Sequence, residues 1–234
     1  MPLSQVAITS QLAWLPENMS GATALPELPA GYGAYLKLLL PLGIDTSVPL
    51  ADYSFARNTV AELNARAAFW HKHGIVMGQP TASRLQPITH RAVAAALGLP
   101  YDAAFSSAAI RQAYGGHWPL HLDSSSLLTE AFAQQLAQLL GAATETYFYG
   151  SPEEGNADWD ASGLPVSWLR MGTLADLPTV YRRDGVFPTY VFAADHSWCL
   201  YQAEDEDWLA FGGTTGLADV LLAQQDLAAF RLTV

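Results

Sequence analysis

From residue 29 to residue 140 the apolar side chains recur at intervals of three and four. Beyond residue 141 they gather in short β-branched and aromatic runs between Gly, Pro and Asp. The first period is that of helices with one buried stripe and the second is that of strands. Tyr32, Tyr35, Leu36, Leu39 and Leu40 predict a helix over residues 29–40, stopped by Pro41 and Gly43. A second helix is expected over 54–73, with Phe55, Leu63, Ala67, Phe69 and Trp70 as its apolar positions and Gly74 as its stop. Shorter helices follow over 89–97 and 102–114. The clearest stripe is Leu127, Leu128, Phe132, Leu136, Leu139 and Leu140, which Asp123 would cap and Gly141 would end.

The later part reads differently. Strands are expected over 144–149, 165–169 and 187–192, then a hairpin of 197–202 and 208–211 around the acidic tip Glu204, Asp205, Glu206 and Asp207. A closing helix is expected over 214–225 and a last strand over 229–234, while 16–31 reads as an irregular leader rich in Pro and Gly. Short connections between strands imply antiparallel pairing. Helices first and strands later define an α+β fold, a helix-rich N-terminal part packed with a mostly antiparallel C-terminal sheet. One compact domain over 1–234 is expected, subdivided at most into a helix-rich 1–140 and a strand-rich 141–234.

Composition makes a packed core the expectation: 50% of the 234 residues are hydrophobic, 14% are charged, and there are 7 Trp, 10 Tyr and 9 Phe. Cys199 is the lone cysteine, so an intramolecular disulfide is impossible and a reducing, cytoplasmic setting is expected. Residues 1–19 show neither a basic nor an apolar signal region, and the most apolar run, 35–42, is interrupted by Lys37 and Pro41. Neither a secretory signal nor a membrane span is expected.

The net charge of −11 is unevenly placed: residues 141–234 hold 14 acids and 4 bases, a net of −10. Such a surface repels phosphate backbones, which argues against nucleic acid, and steers a basic protein partner toward the last third. Solubility alone is the plainer reading of the same charge.

His117, His121 and Asp123 form an H-x3-H-x-D pattern, the ligand chemistry of zinc or non-haem iron. Pro119 interrupts the helix that would align both imidazoles, and helix capping already accounts for Asp123, so a structural role stands beside the metal one. Asn156, Asp158, Asp160 and Ser162 alternate like calcium-loop ligands, but Ala161 stands where the turn needs Gly and Ser167 where it needs Glu. The Gly212 to Gly216 stretch lacks both the Lys of a P-loop and dinucleotide spacing, so no cofactor is expected. His71 and His73 fall on different helix faces, His90 and His196 stand apart, and Cys199 reads as a packed apolar residue.

Leu28-Pro29 with Tyr32 and Tyr35, the strand Tyr147-Phe148-Tyr149-Gly150, and Asp195-His196-Ser197-Trp198-Cys199 followed by Asp207 and Gly212-Gly213 resemble a widespread group of uncharacterised bacterial proteins. The likeness covers both ends of the chain and leaves most of 44–140 unmatched. Leu28-Pro29-x-x-Tyr32-x-x-Tyr35-Leu36 is similar to the opening of the SUKH superfamily, whose members include immunity proteins that neutralise bacterial toxins. That resemblance implies a binding surface and a basic toxin domain as partner. Two functions are therefore carried forward. One is a non-catalytic interaction module using Trp159, Trp198 and Trp208 with Asp205, Glu206 and Asp207, Trp168 being a fourth aromatic candidate. The other is a metal-dependent hydrolase using His117, His121 and Asp123.

Overall fold

Every second side chain of the long strands meets one apolar layer and the intervening ones meet another, so the main sheet is buried on both faces. The computed structural model describes residues 3–8, 10–15, 28–49, 59–203 and 206–233. The chain divides into two compact units, residues 1–40 with 130–234, and residues 41–129.

In the first unit β1 (Ser4–Gln5) and β2 (Ala34–Leu39) belong to an eight-stranded sheet, as do six of the later strands introduced below. The second unit holds β3 (Leu42–Ile44), β4 (Gln86–Ile88) and β5 (Leu122–Asp123), paired antiparallel in the order β4-β3-β5. Its helices are α1 (Val60–His73), α2 (His90–Leu97) and α3 (Ser107–Ala113). Thr59 and Glu62 close a capping box on α1, and Gly74 ends it at φ 66°, a left-handed conformation that glycine adopts without penalty. Val93, Ala94, Phe105, Ile110 and Leu122 are buried in this unit.

The chain then runs through α4 (Ser126–Leu140), β6 (Glu145–Gly150), β7 (Asp158–Trp159), β8 (Pro165–Val166), β9 (Trp168–Thr173) and α5 (Leu177–Asp184). It ends with β10 (Tyr190–Ala193), β11 (Trp198–Tyr201), β12 (Trp208–Gly213), α6 (Thr215–Leu222) and β13 (Ala229–Arg231). The sheet order is β1-β9-β6-β10-β11-β12-β2-β13, with every neighbouring pair antiparallel. The expected α+β class and antiparallel later sheet are therefore present. So is the 198–213 hairpin, with Trp198 opposite Gly213 and Tyr201 opposite Ala210.

One face of the sheet packs Leu36, Leu38, Phe148, Val191, Trp198, Leu200, Leu209 and Phe211 with Leu136 and Leu140 of α4, Val180 of α5 and Leu221 of α6. The opposite face is aromatic: Tyr35, Tyr147, Tyr149, Tyr190, Phe192, Tyr201 and Trp208 share a second cluster with Trp14 and Leu28. The two-residue period of strands produces this division, since neighbours such as Tyr147 and Phe148 must point to opposite faces.

Residues 34–39 form a strand, and not the expected helix over 29–40. Because β2 is covered on both faces and lies between β12 and β13, nearly every position is apolar. In such a run a helical spacing arises by accident. Asp123 does not cap α4 either. It lies in β5 with its Oδ1 accepting from Ser124 N at 2.8 Å, and Ser125 Oγ accepts from Leu128 N instead. The α5 helix was not expected, since its eight residues include Pro178 and three charged side chains. Among the described residues no helix is long and apolar enough to cross a membrane.

Candidate protein-interaction site

Between β6 and β9 the chain leaves the sheet as a small hairpin in which Asp158 pairs with Val166 and Trp159 with Pro165. Its tip is held by local bonds. Asp160 Oδ1 accepts from Ser162 N at 2.8 Å and Leu164 N at 3.0 Å, and Asp160 N donates to Leu164 O at 2.9 Å. Gly163 sits at φ 74°, which lets the turn close without strain. The hairpin carries Trp159 at 71% exposure and Leu164 at 62%, with Pro165 also exposed.

Beneath this apolar tip lies an ionic anchor. Arg170, in β9, is 1% exposed. Its guanidinium donates from Nη2 to Asp158 Oδ2 at 3.0 Å and from Nη1 to Asp184 Oδ2 at 2.6 Å, and it stacks 3.7 Å from the Trp168 ring centroid. A buried arginine is costly unless its charge finds acceptors. Here Nη1 and Nη2 find carboxylates that join the hairpin, the sheet and α5, while Nε is buried without a partner among the described residues. Asn156 adds a second tie, donating from Nδ2 to Phe187 O at 2.7 Å. The residues that alternate like calcium ligands are thus spent separately, Asn156 on a carbonyl, Asp158 on Arg170 and Asp160 on its own turn.

The four bases of residues 141–234 are all engaged: Arg170 and Arg183 with Asp158 and Asp184, Arg182 with Glu130, and Arg231 with Asp219. Near the far end of the sheet Trp208 is half-buried, donating from Nε1 to Glu206 Oε2 at 2.7 Å, with Lys37 Nζ 5.5 Å from its ring centroid. Burial pulls the Lys37 ammonium below the usual lysine range, opposed by the charges of Asp207 and Glu206. Asp207 uses its backbone oxygen to accept from Leu40 N at 2.8 Å. Asp205 lies outside the described residues.

Trp198 is 1% exposed, inside the layer between sheet and helices, so it cannot face a partner; Trp168 is equally buried beneath Arg170. Of the expected aromatic anchors, Trp159 is the one that projects. Leu164 beside it was missed, because an isolated leucine in a polar loop carries no periodic signal. Arg170 was missed too, although a lone arginine between Leu169 and Met171 in an apolar strand marks a buried charge that must have partners.

The metal-hydrolase residues are not assembled into a ligand set. His117 is exposed, whereas His121 is 3% exposed, with Nε2 3.3 Å from the Tyr114 hydroxyl. Burial lowers the His121 pKa and raises that of Asp123. Among the described residues no three His, Cys, Asp or Glu side chains are grouped to hold a metal ion. Cys199 is enclosed in the aromatic layer, and burial pushes its thiol well above the ordinary range, the reverse of an activated nucleophile. Gly212 is an interior strand position where a Cβ would lie 2.4 Å from Tyr32 Cδ2, so close packing accounts for it. Thr214 Oγ1 accepts from Leu217 N at 3.3 Å and caps α6.

Against known proteins, the chain matches no family model, no curated sequence and no solved structure.

Proposed function

We propose that this chain is a non-catalytic interaction module that docks a basic protein through the Trp159 hairpin, in the manner of a toxin-immunity protein of the bacterial cytoplasm. The observation that carries the reading is the 71% exposure of Trp159 on a hairpin fixed by Arg170. A large rigid aromatic side chain held ready in water offers affinity at little ordering cost, and tryptophan is prominent among the residues that dominate interface energies. Leu164 and Pro165 extend the apolar contact, and Asp160 stands exposed next to it. The net charge of −10 over residues 141–234 sets the sign of the partner, since complementary charge raises the association rate and rejects acidic competitors. The resemblance of Leu28-Pro29 and Tyr32 to the SUKH opening supports the immunity reading.

The test starts from capture of a partner on the tagged protein. That partner is then identified, purified and titrated against the wild type and Trp159→Ala at low and at high salt. A stoichiometric basic partner whose affinity falls with salt and with loss of Trp159 supports the proposal. An acidic partner, or a partner bound equally by Trp159→Ala, overturns it.

A further inference from the structure

In the second unit, the C-terminal end of α1, the loop after β3 and the turn leading into β4 enclose a cleft of about 560 Å³. Its wall includes Asp45, Ser47, Lys72, His73, Ser83 and Arg84. Asp45 is 2% exposed, and one of its two carboxylate oxygens is used among the described residues. Oδ1 accepts from Ser47 N at 2.9 Å and Ser47 Oγ at 2.6 Å, whereas Oδ2 is enclosed and has no hydrogen-bond partner among the described residues. The loop backbone fixes the aspartate, with Asp45 N donating to His121 O at 2.8 Å and Asp45 O accepting from Val48 N at 3.2 Å.

Two cations, Lys72 and Arg84, stand on the same wall. Lys72 is exposed beside it, and Arg84 donates from Nη1 to His73 O at 2.9 Å, which sets the guanidinium across the end of α1. Gly74 permits this approach, since a Cβ there would meet Arg84 Nη1 at 2.9 Å. Arg84 thereby covers a helix-end carbonyl and still keeps donors free to face the cleft.

An enclosed carboxylate oxygen without a donor is costly, and such a group in a cleft marks where a ligand's donor would be accepted. We infer that the cleft binds a small zwitterion of the free amino-acid class, its ammonium donating to Asp45 Oδ2 and its carboxylate meeting Lys72 and Arg84. Charge on both sides of the cleft selects against simple anions, which Asp45 repels, and against simple cations, which Lys72 and Arg84 repel. The cleft lies in the second unit and the Trp159 hairpin in the first, so this inference stands or falls apart from the interaction proposal.

The probes are the common L-amino acids, added singly to the full-length isotope-labelled protein while amide resonances are followed. The expected result is a saturable shift by at least one of them, confined to residues around 45–47, 72–74 and 83–86. Asp45→Asn keeps the Ser47 contact while removing the charge, and it is expected to weaken that binding about tenfold or more. Arg84→Gln is expected to weaken it independently, which keeps the inference testable should the Asp45 variant lose its fold. No saturable shift from any amino acid, or equal shifts from inorganic phosphate or from methylammonium alone, would overturn the inference.

Discussion

Arg170 Nη2 donates to Asp158 Oδ2 at 3.0 Å, and this bond joins a buried position of β9 to an exposed hairpin. The same guanidinium also reaches Asp184 at 2.6 Å. Removing the arginine therefore does more than free the hairpin, because it leaves a carboxylate that is only 13% exposed with just the longer Arg183 contact at 3.6 Å. Arg170→Met is expected to destabilise the protein by about 3–5 kcal/mol, read as a lower urea midpoint. Asp158→Ala leaves the Asp184 pair intact and is expected to cost about 1 kcal/mol while weakening partner binding through a looser hairpin. Equal losses of stability in both variants would show that the hairpin bond, and not the buried pair, dominates.

Trp159 and Trp198 make the opposite pair of expectations. Trp159→Ala removes a side chain in water and is expected to leave stability within about 0.5 kcal/mol, while partner affinity falls by about 2 kcal/mol or more. Trp198→Ala opens the layer between sheet and helices and is expected to cost about 3–5 kcal/mol. Denaturation curves of the two variants, set beside titrations with the partner, separate these roles.

Strand positions were legible where one property marked them. The runs around Thr146, Val191 and Trp198 are β-branched or aromatic and bounded by turn residues, and all three are strands. Residues 34–39 were misread because burial on both faces erases alternation, and only pairing with β12 and β13 reveals the strand. The candidate site was half visible. An exposed tryptophan looks like a buried one in the sequence, so Trp159, Trp198 and Trp208 were indistinguishable until the sheet assigned each a side. Arg170 had a signal, a charge in an apolar strand, but its acceptors lie 12 and 14 residues away in hydrogen-bonded contact that spacing does not encode.

Lys37 offers a test of how the aromatic face tolerates charge. It is 9% exposed, and burial lowers its pKa despite the neighbouring Asp207 and Glu206. The folded environment therefore disfavours the ammonium on balance. Lys37→Met keeps the length of the stem against Trp208 and removes the charge, and is expected to be neutral to about 1 kcal/mol stabilising at neutral pH. A clear loss of stability in that variant would show that the contacts of the ammonium outweigh its desolvation.

His121 gives the second unit a pH dependence whose sign follows from its burial. Its folded pKa is lowered from 6.5 by desolvation, so the unfolded chain takes up a proton at a pH where the folded protein still refuses it. Stability is then fully present above about pH 6.5 and falls as the pH drops through that value toward the folded pKa, below which the loss stops growing. Asp123 behaves in the reverse sense: its raised pKa makes the folded state favour the proton, so stability falls as pH rises above 3.8 until the folded group ionises. The two windows open from opposite ends, and a neutral substitution tells them apart. Urea midpoints of the wild type measured between pH 7.5 and 5.5 are expected to decline, and those of His121→Gln to decline less. An unchanged slope in the variant would assign the acid sensitivity to other groups.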